Sequence, residues 1–227
     1  GGARPSPEVL DVCRAKGVIV RQLYGMTEVG GGSIIASAQE ALVRPDSCGR
    51  GLAFSRFRIV RDDGTECEPG EPGHVLLQGP GQMLGYWRDP DATAAALAGG
   101  WMHTGDVGAV DADGYFRFVD RAKEMIKSSG FNVSPAEIEA VLLSHPAVRE
   151  VAAFATIDQR GAEWPCACVT LHADVPLEEL VEYAAGSLAG FKVPRFMVRL
   201  DDDLPRLANE KVDRRALKAR VGNTENL

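Results

Sequence analysis

A chain of 227 residues is long enough to bury a sizeable core, as one large domain or two modest ones. Its formal net charge of −7, with basic residues mixed among acidic ones, leaves no basic face for phosphates and argues against a nucleic-acid partner. No apolar run approaches the roughly 20 residues of a transmembrane segment. Five scattered cysteines (Cys13, Cys48, Cys67, Cys166, Cys168) without a CxxC pair predict reduced thiols and a cytoplasmic protein, with neither a disulfide framework nor a zinc site.

The chain opens on Gly1-Gly2-Ala3 without an initiating Met, as a piece of a longer protein would. Glu8 to Lys16 is predicted as a short helix and Val18 to Leu23 as a strand, followed by a glycine-dense loop from Tyr24 to Ser33. From about Cys48 to Val119 the pattern is β-rich. Strands are predicted at Phe57–Val60, His74–Gln78, Val107–Val110 and Tyr115–Val119, with turns at Asp63-Gly64 and Asp113-Gly114. One helix, Asp91 to Leu97, interrupts them, and the short strands suggest a small barrel or a strongly bent sheet.

After Asp120 strands and helices alternate. Ser134-Pro135-Ala136-Glu137 reads as a helix start, with Ser as cap and Pro where its missing N–H costs nothing. Strands follow at Val151–Ile157, Cys166–Leu171 and Phe196–Leu200, with helices at Leu177–Leu188 and Asp213–Val221. The change in character divides the chain into 1–119 and 120–227.

Four segments carry chemistry. In Tyr24-Gly25-Met26-Thr27-Glu28 a ring can stack on a base, a hydroxyl can meet a phosphate, and a carboxylate can hold Mg²⁺; alone, the segment could equally be an ordinary turn. Asp106 in Thr104-Gly105-Asp106 could accept hydrogen bonds from a ribose diol, or simply satisfy turn amides. The run from Asp120 to Gly130 is both a linker and a cluster of cations. Lys211, on a loop between a strand and a helix, is by itself an ordinary solvated lysine.

In this order and spacing the four segments resemble the adenylate-forming superfamily: acyl-CoA synthetases, adenylation domains of peptide synthetases and beetle luciferases. The resemblance covers essentially the whole chain. It implies an α+β fold, in which 1–119 ends a large N-terminal domain with a small β-barrel-like subdomain and 120–227 forms a compact, mobile C-terminal domain. The implied activity is an ATP-dependent acid–thiol ligase using ATP, Mg²⁺ and coenzyme A on a small-molecule carboxylic acid, expected to be a fatty acid. Tyr24 would lie against adenine beside Gly2, Ala3, Gly25 and Met26, Thr27 would meet the α-phosphate, and Glu28 would bind the metal. Asp106 and Arg121 would hold the ribose. Lys123 would be the hinge, Lys211 the lysine of adenylation, and Lys127, Gly130 and Lys192 residues of the thioester step.

Two departures stand out. Glu210 precedes Lys211 where the family usually has glycine, and the family's Ser/Thr/Gly-rich phosphate loop does not occur in the 227 residues. The chain alone is therefore expected to be inactive. Alternatives are a non-catalytic nucleotide- or CoA-binding fragment, or an adenylation domain for another carboxylic acid.

Overall fold

The structure, a computed structural model, describes residues 7–158, 160–208 and 210–221. The adenine-pocket segment expected at Gly1-Gly2-Ala3 lies outside the described residues. The chain divides into two compact units, 1–122 and 123–227.

The first unit begins with helix α1 (Pro7–Ala15), then strands β1 (Leu23–Met26) and β2 (Gly31–Ile35), helix α2 (Ala38–Val43) and strand β3 (Arg50–Gly51). The strands form one sheet in the order β1-β2-β3, β1 and β2 as a hairpin around the turn Thr27–Val29. The glycine-dense stretch from Tyr24 is thus mostly strand, not the expected loop. Glycine masks the alternation that reveals strands elsewhere, and here it is required: a Cβ on Gly25 would lie 1.8 Å from the Gly31 carbonyl oxygen. Conversely, of the strand expected at Val18–Leu23 only Leu23 is one; Val18 and Ile19 are 55% and 45% exposed, so that apolar run is not a buried ladder. Helix α2 starts with a full capping box, in which Ser37 Oγ accepts from the Glu40 N–H at 3.2 Å and Glu40 accepts from the Ser37 N–H at 2.7 Å.

The rest of the unit is β4 (Arg56–Val60), β5 (Gly73–Gln78), helix α3 (Pro90–Ala96), β6 (Met102–Val110) and β7 (Phe116–Arg121). The four strands make an antiparallel sheet in the order β4-β5-β6-β7. Strands β4 and β7 are its two edges, so the sheet is open and the expected barrel-like closure is not formed. Four strands are too few to close around side chains. Irregular registers at His74/Leu76 and Val107/Gly108 bend it instead. Its apolar face (Ile59, Val75, Leu77, Met102, Phe116) shares one core with Tyr24, Val29 and Ile34 of the first hairpin. Strand β6 starts five residues before the expected Val107, which places the Thr-Gly-Asp motif on a strand.

The second unit opens with a hairpin of β8 (Ile126–Ser128) and β9 (Phe131–Val133), followed by helix α4 (Pro135–Leu143). Ser134 Oγ accepts from the Glu137 N–H at 3.3 Å, the cap read from the sequence. Then come β10 (Val148–Ile157), β11 (Glu163–Leu171), helix α5 (Leu177–Ala185), β12 (Phe196–Arg199) and helix α6 (Arg214–Val221). Strands β10 and β11 pair antiparallel, β11 and β12 parallel.

Both faces of this sheet are covered, and the alternation along β10 shows how. Val151 and Ala153 join Ile138 and Leu142 of α4 and Leu180 and Ala184 of α5 in one core. Ala152 and Phe154 join Cys166, Cys168, Leu217 and Val221 against α6. Each large aliphatic side chain so buried contributes about 1.5–3 kcal/mol. The architecture is α+β. No disulfide links any of the five cysteines, and among the described residues no helix is long and apolar enough to cross a membrane.

Candidate active site

In the first unit the Tyr24–Glu28 and Thr104–Asp106 motifs meet. Asp106 on β6 is 5% exposed, and its cross-strand neighbour in the ladder is Arg121 on β7. Tyr24 on β1, 8% exposed, donates its hydroxyl proton to Asp106 Oδ2 at 2.7 Å. The Tyr24 ring is itself packed by Phe116, with centroids 4.8 Å apart, and by Phe118 at 6.1 Å. Arg121 Nε lies 3.0 Å from Asp106 Oδ1, yet no hydrogen bond of acceptable geometry closes on that oxygen. Asp106 therefore presents one oxygen locked from behind and one buried acceptor unsatisfied among the described residues. Such an atom is costly unless a ligand or water donates to it.

Burial raises the proton affinity of the Asp106 carboxyl above its usual value; the Tyr24 hydrogen bond and the Arg121 charge act against that rise. Burial, with Asp106 as the next cause, pushes the Tyr24 phenol well up, so it stays a proton donor at neutral pH.

Thr27 is exposed at the start of the turn after β1, and Glu28 follows it half-buried. The Tyr86 hydroxyl donates to Glu28 Oε1 at 3.1 Å, and the Glu28 backbone carbonyl accepts from the Met83 N–H at 2.7 Å. Glu28 is close enough to Asp106 to add to its raised proton affinity. Among the described residues no cluster of three or more His, Cys, Asp and Glu could hold a metal. Mg²⁺ usually takes one or two protein carboxylates and completes its shell with phosphates and water, so a single carboxylate such as Glu28 is enough to contribute to such a site. Tyr86, Phe116 and Phe118 escaped the sequence reading. They lie in none of the motifs, and only the chain path brings them there.

In the second unit Lys127 projects from β8 in an exposed position, while its N–H donates to Glu163 Oε2 at 2.8 Å. Ser129 and Gly130, the two turn residues between β8 and β9, have φ of 52° and 83°, the pair of positive values a type I′ turn needs. Phe131, next to Gly130, stacks on Phe191 at 4.3 Å, which brings this hairpin beside the turn that carries Lys192. Lys192 Nζ is paired with Glu137, at 2.7 and 2.8 Å from its two carboxylate oxygens. Lys123 is exposed and lines a cleft of about 240 Å³ with Glu124, Arg214 and Lys218. Lys211 is exposed on the loop before α6, and Glu210 before it has φ 64°.

Comparison with known proteins matches residues 1–87 to the AMP-binding enzyme family and residues 137–211 to the AMP-binding enzyme C-terminal domain. The chain belongs to the AMP-binding, adenylate-forming enzyme family. Within this family, a 2-succinylbenzoate–CoA ligase of Geobacillus sp. (strain WCH70) is 42% identical over 228 residues, covering 100% of this chain and 46% of the relative. The ligase of that name from Bacillus subtilis (strain 168) is 40% identical, covering 98% and 45%. The solved o-succinylbenzoate CoA synthetase from Bacillus subtilis, in complex with the acyl-adenylate intermediate OSB-AMP, superposes with a TM-score of 0.87 at 38% identity, covering 96% of this chain and 45% of that one. The chain thus spans about half the length of the relatives it matches. The acid they name is an aryl carboxylate bearing a keto-acid arm, so the fatty-acid expectation finds no support in them.

Proposed function

We propose that the whole protein is an ATP-dependent acyl-CoA ligase acting on an aromatic carboxylic acid of the 2-succinylbenzoate kind. In the first step the substrate carboxylate attacks the α-phosphorus of ATP and expels pyrophosphate. In the second the CoA thiol attacks the acyl-adenylate carbonyl and AMP departs. Both partners of the first step are anions, so groups that offset developing negative charge dominate the catalysis.

The observation that carries this reading is the Asp106 carboxylate. Oδ2 is held by Tyr24, and Oδ1, ion-paired with Arg121 at 3.0 Å, has no hydrogen-bond donor in acceptable geometry among the described residues. A ribose hydroxyl would supply that donor, with Arg121 at its side. Tyr24 then shapes the base pocket and orients the carboxylate. Thr27 would contact the α-phosphate. Glu28, oriented by Tyr86, would hold Mg²⁺, which when bound shields the phosphate charge from the incoming carboxylate.

Lys211 would offset charge on the acyl carboxylate and phosphate during adenylation. Lys127, Gly130 and Lys192 would serve the thioester step, and rotation about Lys123 would exchange the two sets. The adjacency of the Gly130 turn and the Lys192 turn through Phe131 and Phe191 supports grouping them in one step. The 227-residue chain by itself is expected to give no turnover, since no phosphate loop occurs in it.

The test is pyrophosphate release by the full-length protein with ATP and 2-succinylbenzoate, beside Asp106→Asn. The variant should raise the KM for ATP about 10- to 100-fold, the worth of a hydrogen bond to a charged group. An unchanged KM removes Asp106 from the ribose.

A further inference from the structure

Lys211 stands at the end of a tight loop between β12 and α6. The Leu207 N–H donates to the Lys211 carbonyl at 2.8 Å, and the Glu210 N–H donates to the Leu207 carbonyl at 2.9 Å. Arg206 and Val212 pair as a single antiparallel bridge across its base. Inside this closure Glu210 has φ 64°, a left-handed conformation that glycine adopts freely and glutamate resists. Its neighbours must therefore hold it there.

Arg206 is placed to do so. Its Nη1 donates to the Glu210 carbonyl at 2.8 Å. Its Nη2 donates to Glu150 Oε1 on β10, while Glu150 Oε2 accepts from the Leu204 N–H at 3.4 Å. One half-buried carboxylate on β10, an edge strand of the sheet, thus anchors the start of the loop and the guanidinium that spans it. The planar fork of arginine holds both acceptors at once, whereas the single ammonium of lysine serves one well.

We infer that Arg206, braced by Glu150, is the positioning residue for Lys211. By fixing the Glu210 carbonyl it sets the direction in which the backbone enters Lys211, and so where the ammonium is delivered. The inference rests on the reading of Lys211 as the lysine of adenylation, and it makes Arg206 matter to that half-reaction alone.

The test uses the full-length enzyme and three readouts: pyrophosphate release without CoA, thioester formation from supplied acyl-adenylate, and Tm. Arg206→Ala is expected to slow pyrophosphate release about 10- to 30-fold, as misplacement of a charge-stabilising group does, with thioester formation within about twofold of native. Arg206→Lys should recover only part of the loss. Adding Glu210→Gly to Arg206→Ala should restore about threefold or more, because glycine reaches φ 64° without a clamp. Glu150→Gln, which keeps the shape, should slow pyrophosphate release alone, by about three- to fivefold.

Equal slowing of both half-reactions by Arg206→Ala and by Glu150→Gln would overturn the inference, and so would no slowing of either. Lys211→Ala separates the two levels. If it slows pyrophosphate release while Arg206→Ala does not, only the clamp falls; if it has no effect, the Lys211 reading falls and takes the clamp with it.

Discussion

Tyr24 and Asp106, 82 residues apart in sequence, are joined by a 2.7 Å hydrogen bond in a buried setting. The bond ties the first motif to the second and leaves only Asp106 Oδ1 available to a ligand. Tyr24→Phe keeps the ring packing on Phe116 and removes this donor. The carboxylate then loses its orientation, and we expect the KM for ATP to rise about 10-fold with a smaller change in kcat. Steady-state kinetics at varied ATP on the full-length variant checks this.

The same carboxylate makes stability depend on pH. Burial raises its folded-state pKa above the unfolded value near 4. A carboxyl that binds its proton more tightly when folded contributes stability below the unfolded pKa and loses it as pH rises through the folded value. Asp106→Asn has no such loss. Its Tm relative to the native protein should therefore improve as pH rises from about 4 toward 7. Paired thermal melts across that range read the sign directly, and the opposite slope would mean that the Arg121 and Tyr24 interactions outweigh burial.

The motifs and most of the second unit were legible because they are local. The Ser134 cap and the strand expected at Val151–Ile157 are short-range signals, and each matches a packed feature. The Tyr24–Ser33 hairpin was not legible, because glycines at 25, 30, 31 and 32 carry no face. Their service is close backbone approach, seen where Gly25 meets the Gly31 carbonyl. Nor could the sequence show that Tyr24 is buried among Phe116 and Phe118, or that Tyr86 reaches Glu28. Both depend on contacts across more than 50 residues.

Glu210 offers a stability prediction. Relieving a left-handed non-glycine conformation is worth about 1–2 kcal/mol, while glycine's extra freedom in the unfolded chain costs about 0.5–1 kcal/mol. The first effect wins. Glu210→Gly should stabilise by about 0.5–1 kcal/mol, or raise Tm by about 2 °C, and calorimetry of native and variant protein settles it.

Gly130 should behave differently. A Cβ there meets nothing within 4 Å, so the fold has room for it, but φ of 83° penalises any side chain by about 1 kcal/mol. Gly130→Leu is expected to lower Tm by a few degrees and to slow thioester formation at least about 10-fold. Pyrophosphate release without CoA should stay near native. Single-turnover assays of the two half-reactions separate these effects.

In the proposed function this chain carries the nucleotide- and CoA-handling half of an aryl-acid ligase. The most direct test of that proposal is ATP–pyrophosphate exchange by the full-length protein without CoA, comparing 2-succinylbenzoate with a medium-chain fatty acid. Exchange is expected to require 2-succinylbenzoate and to be lost, by about 10²-fold or more, in Lys211→Ala. Exchange supported equally by the fatty acid, or unaffected by Lys211→Ala, would contradict it.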